Sequence, residues 1–241
     1  MFWADNGKSA KVLPDLDNMY RNTIKGIDLK ESFADFYFSS GLYNYYVDAY
    51  VEAHPVYKPV ASLFRKGNRA EGLKELEIAI DRSRYIKYEA ILFMSLIQLN
   101  YERDLGKAED YAASLYNYFP DNIYFLGQYL IILLHNKNYM VASVLSNKLK
   151  QSGSDFDRMI FSMTSGFIQE NQQHNTTEAR RYYQETIDLA DRFGPIADLY
   201  ASIAYAGLSR IANQKGQLKE AKKYSRISRQ LSSYEFIRDF E

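Results

Sequence analysis

The sequence contains no cysteine. That absence excludes disulfides, thiolate metal sites and cysteine nucleophiles together, and it leaves the compartment open. Proline and glycine are scarce, 5 and 12 in 241 residues, and they fall between periodic segments more than within them, so long helices are permitted. Long apolar runs are missing too. The most apolar stretch, Tyr124 to Leu134, is far short of the roughly 20 residues that a membrane span requires, so the chain is expected to be soluble with no membrane insertion. The opening MFWADNGKSA has no signal-peptide core. Phe2 and Trp3 nevertheless read like the end of a helix cut off at Met1, so the expected compartment is the cytoplasm or, with a leader removed, a bacterial periplasm. A net charge is also lacking: 30 basic residues balance 30 acidic ones. Nothing in that balance draws the chain to nucleic acid or acidic lipid as an obligatory partner.

What is present is a folding composition, 46% hydrophobic and 25% charged, ordinary for a globular chain and unlike a disordered one. Tyrosine is abundant, at 22 residues. Its ring fills space between helices while its hydroxyl reaches water or a polar partner, which suits thin helical layers.

The organising feature is a repeat. A small residue, followed four and then three positions later by residues on the same helical face, recurs five times. The sets are Gly72, Leu76, Ala79; Ala108, Ala112, Leu115; Ala142, Ser146, Leu149; Ala179, Tyr183, Thr186; and Ala221, Ser225, Ser228. Their leading positions lie 36, 34, 37 and 42 residues apart. Two helices approach closely only where a side chain is small, and a bulky residue there costs about 1–3 kcal/mol. A unit of this length with this spacing resembles the tetratricopeptide repeat. Pro120 falls where the repeat stops its second helix. Gly67 and Gly216 fall at turns between paired helices, where glycine readily adopts positive φ. Tyr139, Tyr205 and Leu208 also match, whereas the repeat's tryptophan is absent, its Leu-Gly pair is out of register, and Gly166 fits only with one inserted residue before Ala179.

The resemblance implies an all-α fold: a tetratricopeptide-like right-handed superhelix of stacked antiparallel helix pairs, an alpha-alpha solenoid. About five repeats (56–241) follow N-terminal helices (1–55), in a single domain over 1–241. The periodicity predicts helices over 15–26, with Asp15 after Pro14 as its cap, and over 30–53, bent near Ser39-Ser40-Gly41. Next come 68–82, with a short partner at 56–64, then 86–103 with 105–118 and 122–136 with 139–151. The last two pairs are 155–172 with 176–192 and 196–214 with 217–231.

The stretch 41–102 carries a closer likeness. Gly41 and Tyr43 open a helix, Phe64 and Gly67 make a turn, and Gly72, Leu73 and Leu76 begin the next helix. This pattern resembles the tetratricopeptide repeat protein 39 family, which includes a fungal protein linked to clearance of inclusion bodies. The resemblance covers about a quarter of the chain. It implies a helical scaffold and carries no catalytic residue.

Motifs of catalysis are missing. His54, His135 and His174 are far apart and none sits in a zinc-binding spacing, so packing or surface roles are expected and no metal or cofactor is. There is no nucleophile elbow and no phosphate-binding glycine loop. Asp155-Phe156-Asp157 lacks the rest of a calcium loop and reads as a helix start capped by Asp155. Asn175-Thr176-Thr177 is a formal glycosylation sequon at an interhelical turn. One charge pattern stands out: Lys215, Lys219, Lys222, Arg226 and Arg229 share a face of the last helix, with Lys223 beside them. It reads as the solvated polar cap that ends a solenoid, or as an anion-binding stripe for nucleic acid or lipid head groups.

The expected function is therefore a non-catalytic scaffold that holds a protein or peptide segment in its concave groove. By the repeat's register the groove presents Tyr124, Ile131, His135, Phe167, Asn171, Arg210, Asn213 and Gln214. The amides suit a peptide backbone and the aromatics suit apolar anchors. Ile131 and Phe167 have an alternative, packing against neighbouring repeats or against an N-terminal segment lying in the groove. The Lys/Asn/Arg set of chaperone-clamping repeats is not found, because Phe93, Ile97, Gly127 and Ile131 hold its places. A small-molecule or glycan-binding helical domain, with or without enzymatic activity, is the alternative function, and a homodimer through the end helices is a further alternative.

Overall fold

A computed structural model describes residues 16–53, 55, 58–62, 64–232, 234 and 237. Among these the secondary structure is helical, with no strand, and the helices pack in adjacent pairs, the arrangement of an α-solenoid. Pro14, Asp15 and His54 lie outside the described residues. The described residues fall into two compact units, divided between Leu115 and Tyr116.

The first unit holds α1 (Leu16–Leu29), α2 (Phe36–Ala53), the single turn α3 (Lys58–Ala61), α4 (Arg69–Arg82) and α5 (Lys87–Ile97), which runs on as a π-helical turn, Gln98–Glu102. Most of α6 (Leu105–Tyr118) belongs here as well. The helix over 30–53 is shorter than its periodicity predicts, because residues 30–35 form turns, and Ser39-Ser40-Gly41 lies within continuous helix. Gly41 serves a close approach instead: a Cβ there would stand 3.0 Å from the Gly72 carbonyl oxygen, and one on Gly72 would stand 2.5 Å from the Tyr45 nitrogen. The two glycines mark the crossing of α2 and α4. The Gly72 helix thus packs chiefly on α2 and not on the predicted segment at 56–64, whose described residues include the single turn α3. Gly67 is also needed for proximity, since its Cβ would stand 2.5 Å from the Asn44 carbonyl oxygen, and its φ is not positive.

Two polar clusters tie this unit together. The buried Glu75 carboxylate accepts from Lys30 Nζ, from Ser40 Oγ at 2.7 Å and from Asn44 Nδ2 at 2.7 Å. Glu102 accepts from Arg69 Nε at 2.8 Å and from the Tyr45 hydroxyl at 2.6 Å. A buried carboxylate left unmatched is costly, so both acids are surrounded by donors from neighbouring helices.

The second unit holds α7 (Ile123–His135), α8 (Tyr139–Ser146), α9 (Asp155–Asn171), α10 (Thr176–Ala190), α11 (Asp198–Gln214) and α12 (Leu218–Leu231). Asn122 caps α7 by accepting from the Tyr124 and Phe125 amides, and Asn175 of the sequon caps α10 through the Glu178 amide. Ser154 caps α9, so Asp155 is its first residue and not its cap. Gly216 does have positive φ, +72°, at the turn between α11 and α12. The repeat signature reads out as burial. Of its five sets, every member is buried except Ser225, which is half-buried.

Candidate functional site

Ser225 stands out for a packing reason. One pair earlier, its register position holds Tyr183, whose ring is fully buried between α9 and α11. Two glycines make room for that ring. A Cβ on Gly166 would lie 2.8 Å from Tyr183 Cδ1, and one on Gly207 would lie 2.2 Å from Cε2. The filled gap lets α11 sit on the α9–α10 pair. In the final pair serine replaces tyrosine, and no helix follows α12 among the described residues. The seat stays open as a cleft of about 770 Å³.

Its walls are polar. From α11 come Ser209, Arg210, Asn213 and Gln214; from α12 come Ala221, Lys222, Ser225, Arg226, Arg229 and Gln230. Among the described residues no carboxylate lines it. The floor is fixed by bonds between the helices: Ser209 Oγ donates to the Ala221 carbonyl at 2.9 Å, and Ser202 Oγ to that of Ser228 at 2.9 Å.

Arg210 is held from beneath. Its Nε and Nη2 donate to the two oxygens of Glu170 at 2.7 and 2.6 Å, a two-pronged pairing that fixes the guanidinium plane. The Tyr183 hydroxyl donates to the same carboxylate at 2.7 Å. The Arg210 guanidinium carbon also lies 5.7 Å from the centre of the Phe167 ring. The side chains of Arg210 and Glu170 are 16% and 4% exposed. Burial alone would lower the Arg210 pKa, but the Glu170 hydrogen bonds and charge outweigh it and raise it. Burial, helped by the Glu170 charge, pushes the Tyr183 hydroxyl well above its ordinary value. Both groups therefore keep their protons at neutral pH.

The residues assigned to a groove by register divide. Arg210, Asn213 and Gln214 converge in the cleft, the two amides exposed. Phe167, only 4% exposed, packs beneath Arg210, and Asn171 is half-buried with its Nδ2 bonded to the Phe167 carbonyl at 3.0 Å. Tyr124, Ile131 and His135 lie on α7 and do not line the cleft. Ile131 is 0% exposed and Tyr124 41%; His135 is partly buried at the helix end. The packing alternative describes Ile131 and Phe167. The physical reason for Ile131 is that α7 is apolar nearly all round, and such a helix is enclosed by its neighbours instead of presenting a face.

The basic stripe also divides. Lys222, Arg226 and Arg229 line the cleft, whereas Lys215, Lys219 and Lys223 do not. At 100° per residue, Lys222 and Arg226 stand beside Ala221 and Ser225, not opposite them. The register argument located α11's contribution, and the charge pattern located α12's. What joins them, the small Ser225 at a position filled by Tyr183 one pair earlier, was present in the repeat alignment. The Glu170–Arg210–Tyr183 cluster had no spacing motif to announce it.

No protein-family model matches the chain, and no curated protein or solved structure matches it either. Among the described residues no group of histidines and carboxylates could hold a metal ion, and no helix is long and apolar enough to cross a membrane.

Proposed function

We propose that the chain is a non-catalytic scaffold of tetratricopeptide type that holds a segment of another protein, with the cleft between α11 and α12 as its seat. The observation that carries this reading is the convergence of Arg210, Asn213 and Gln214 with the polar face of α12 around an open cleft of about 770 Å³. In the preceding pair the Tyr183 ring fills the equivalent gap and α11 packs over it, so the open face of the last pair is where a further segment would pack. Amide side chains match a backbone in both directions, since each offers a donor and an acceptor. The small residues at the helix crossings support the superhelical repeat. The reading gives the cleft no cofactor and no reaction.

Selection from a displayed library of random decapeptides tests it. The wild-type chain should retain peptides, and the double variant Asn213→Ala, Gln214→Ala, equally helical by circular dichroism, should lose them. Retention by both proteins alike would place binding elsewhere. A purified chain that retains no peptide but carries a bound metabolite would transfer the cleft to the small-molecule alternative, for which its volume is also adequate.

A further inference from the structure

We infer that the segment received by the α11–α12 cleft is acidic, its carboxylates pairing with Lys222 and Arg226; this rests on the peptide-binding reading above. The first argument is local charge. The chain as a whole is neutral, with 30 residues of each sign, yet among the described residues Lys222 and Arg226 line the cleft with no carboxylate beside them, the Arg210 charge being answered by Glu170 beneath. Like charges crowded around a concavity raise the potential inside it and favour an anionic occupant.

The second argument comes from the preceding pair. Arg180 holds on α10 the register position that Lys222 holds on α12. When α11 and α12 are added to that pair, Glu220 comes to 3.7 Å from Arg180 and answers its charge. Lys222 and Arg226 are exposed and form no ion pair among the described residues. An occupant of the open seat is thus placed to supply the acid that Glu220 supplies one step earlier.

The third argument separates a peptide from other polyanions. Among the described residues the cleft wall has no aromatic ring on which a base could stack, and stacking is a large part of single-strand recognition. It offers instead the amides of Asn213, Gln214 and Gln230, which complement a peptide backbone. Arg210 adds rigidity. With two nitrogens fixed on Glu170, its remaining Nη1 is buried and has no hydrogen-bond partner among the described residues.

The experiment uses two displayed decapeptide pools, one lacking Asp and Glu and the other lacking Lys and Arg, with labelled oligothymidylate and phosphatidylserine vesicles as further probes. Retention should come from the acid-containing pool, at roughly tenfold or more above the acid-free pool. That preference should vanish in the variant Lys222→Glu, Arg226→Glu and persist in Lys223→Glu, an exposed site outside the cleft. If the charge reversals disturb helicity, Lys222→Ala with Arg226→Ala serves in their place. Equal retention from both pools would overturn the acidic partner and leave the peptide reading standing. Retention from neither pool would overturn both. Tighter binding of oligothymidylate or vesicles, lost in the Lys222/Arg226 variant, would assign the cleft to nucleic acid or membrane instead.

Discussion

At the scale of single residues, Tyr183 decides how the second unit closes, and the two glycines facing its ring are the sharpest test of that packing. A methyl on Gly207 would fall 2.2 and 2.3 Å from two ring carbons. The ring is fully buried and pinned at its hydroxyl, so it cannot swing aside. Gly207→Ala should destabilise the fold by about 3 kcal/mol or more, read from the urea unfolding midpoint. Gly106 is the contrast. It lies in the first turn of α6 with only the Asp104 carboxylate oxygen within reach, at 3.6 Å. Gly106→Ala should stabilise by about 0.5–1 kcal/mol through the unfolded chain's lost freedom. Equal effects from the two substitutions would contradict the packing described here. Glu170 gives a second residue-scale prediction. Glu170→Gln leaves the buried Arg210 guanidinium without its counter-charge and should cost about 3 kcal/mol. Tyr183→Phe removes one hydrogen bond while the Arg210–Glu170 pair remains, and should cost about 1 kcal/mol. If the two costs came out in the reverse order, the ion pair would not be the anchor of the cluster.

At the scale of elements, the Glu102 cluster shows how charge joins helices distant in sequence. Glu102 closes the π-helical turn after α5 and takes donors from Arg69 at the start of α4 and from Tyr45 on α2. Burial works to raise its pKa, but the hydrogen bonds from Arg69 and Tyr45 together outweigh burial and leave it below the ordinary carboxylate value. A lowered folded-state pKa stabilises above the unfolded value, and that contribution is lost as pH falls through the folded one. Stability should therefore drop below about pH 4.5, and Glu102→Gln should be the weaker protein at pH 7 by a margin that narrows towards pH 3. Thermal melts across that range would measure it; a constant margin would show that the carboxylate's charge is not what matters. Most of these elements were legible in the sequence. The helices from 105 onward fall within a few residues of their predicted bounds, because small-residue spacing and Pro120 are local signals. The pairing of α2 with α4 was not legible. Residues 54–68 intervene, so the connection departs from the short turn that the repeat's spacing assumes, and only the matched glycines Gly41 and Gly72 betray it.

At the scale of the whole molecule, the candidate site was half legible for a related reason. Register assigned Arg210, Asn213 and Gln214 to a surface and charge spacing assigned Lys222, Arg226 and Arg229 to another, but meeting across a cleft is a tertiary fact. Ile131 was placed by register alone, which cannot tell an exposed face from one that neighbouring helices cover. Tyrosine, by contrast, announced its role through number. With 22 in the chain, many must sit between helices, and Tyr45, Tyr183 and Tyr200 are almost wholly buried. Burial is the main cause that raises the pKa of each, joined at Tyr45 and Tyr183 by a nearby carboxylate. Tyr43, on the surface side of α2, is pushed up to about 12 by partial burial. The sign follows directly: a phenol whose folded pKa exceeds its unfolded value contributes stability that is complete below about pH 10 and is lost as pH climbs through the folded value. Ultraviolet titration of the phenolate band should thus show exposed tyrosines ionising near pH 10 while helicity persists. A second group should ionise only as the far-ultraviolet circular dichroism collapses, in one cooperative alkaline step. Tyr183→Phe should remove one phenol from that second group and none from the first. Complete ionisation of all tyrosines with the helices intact would mean that these rings are not the spacers on which the helical layers rest.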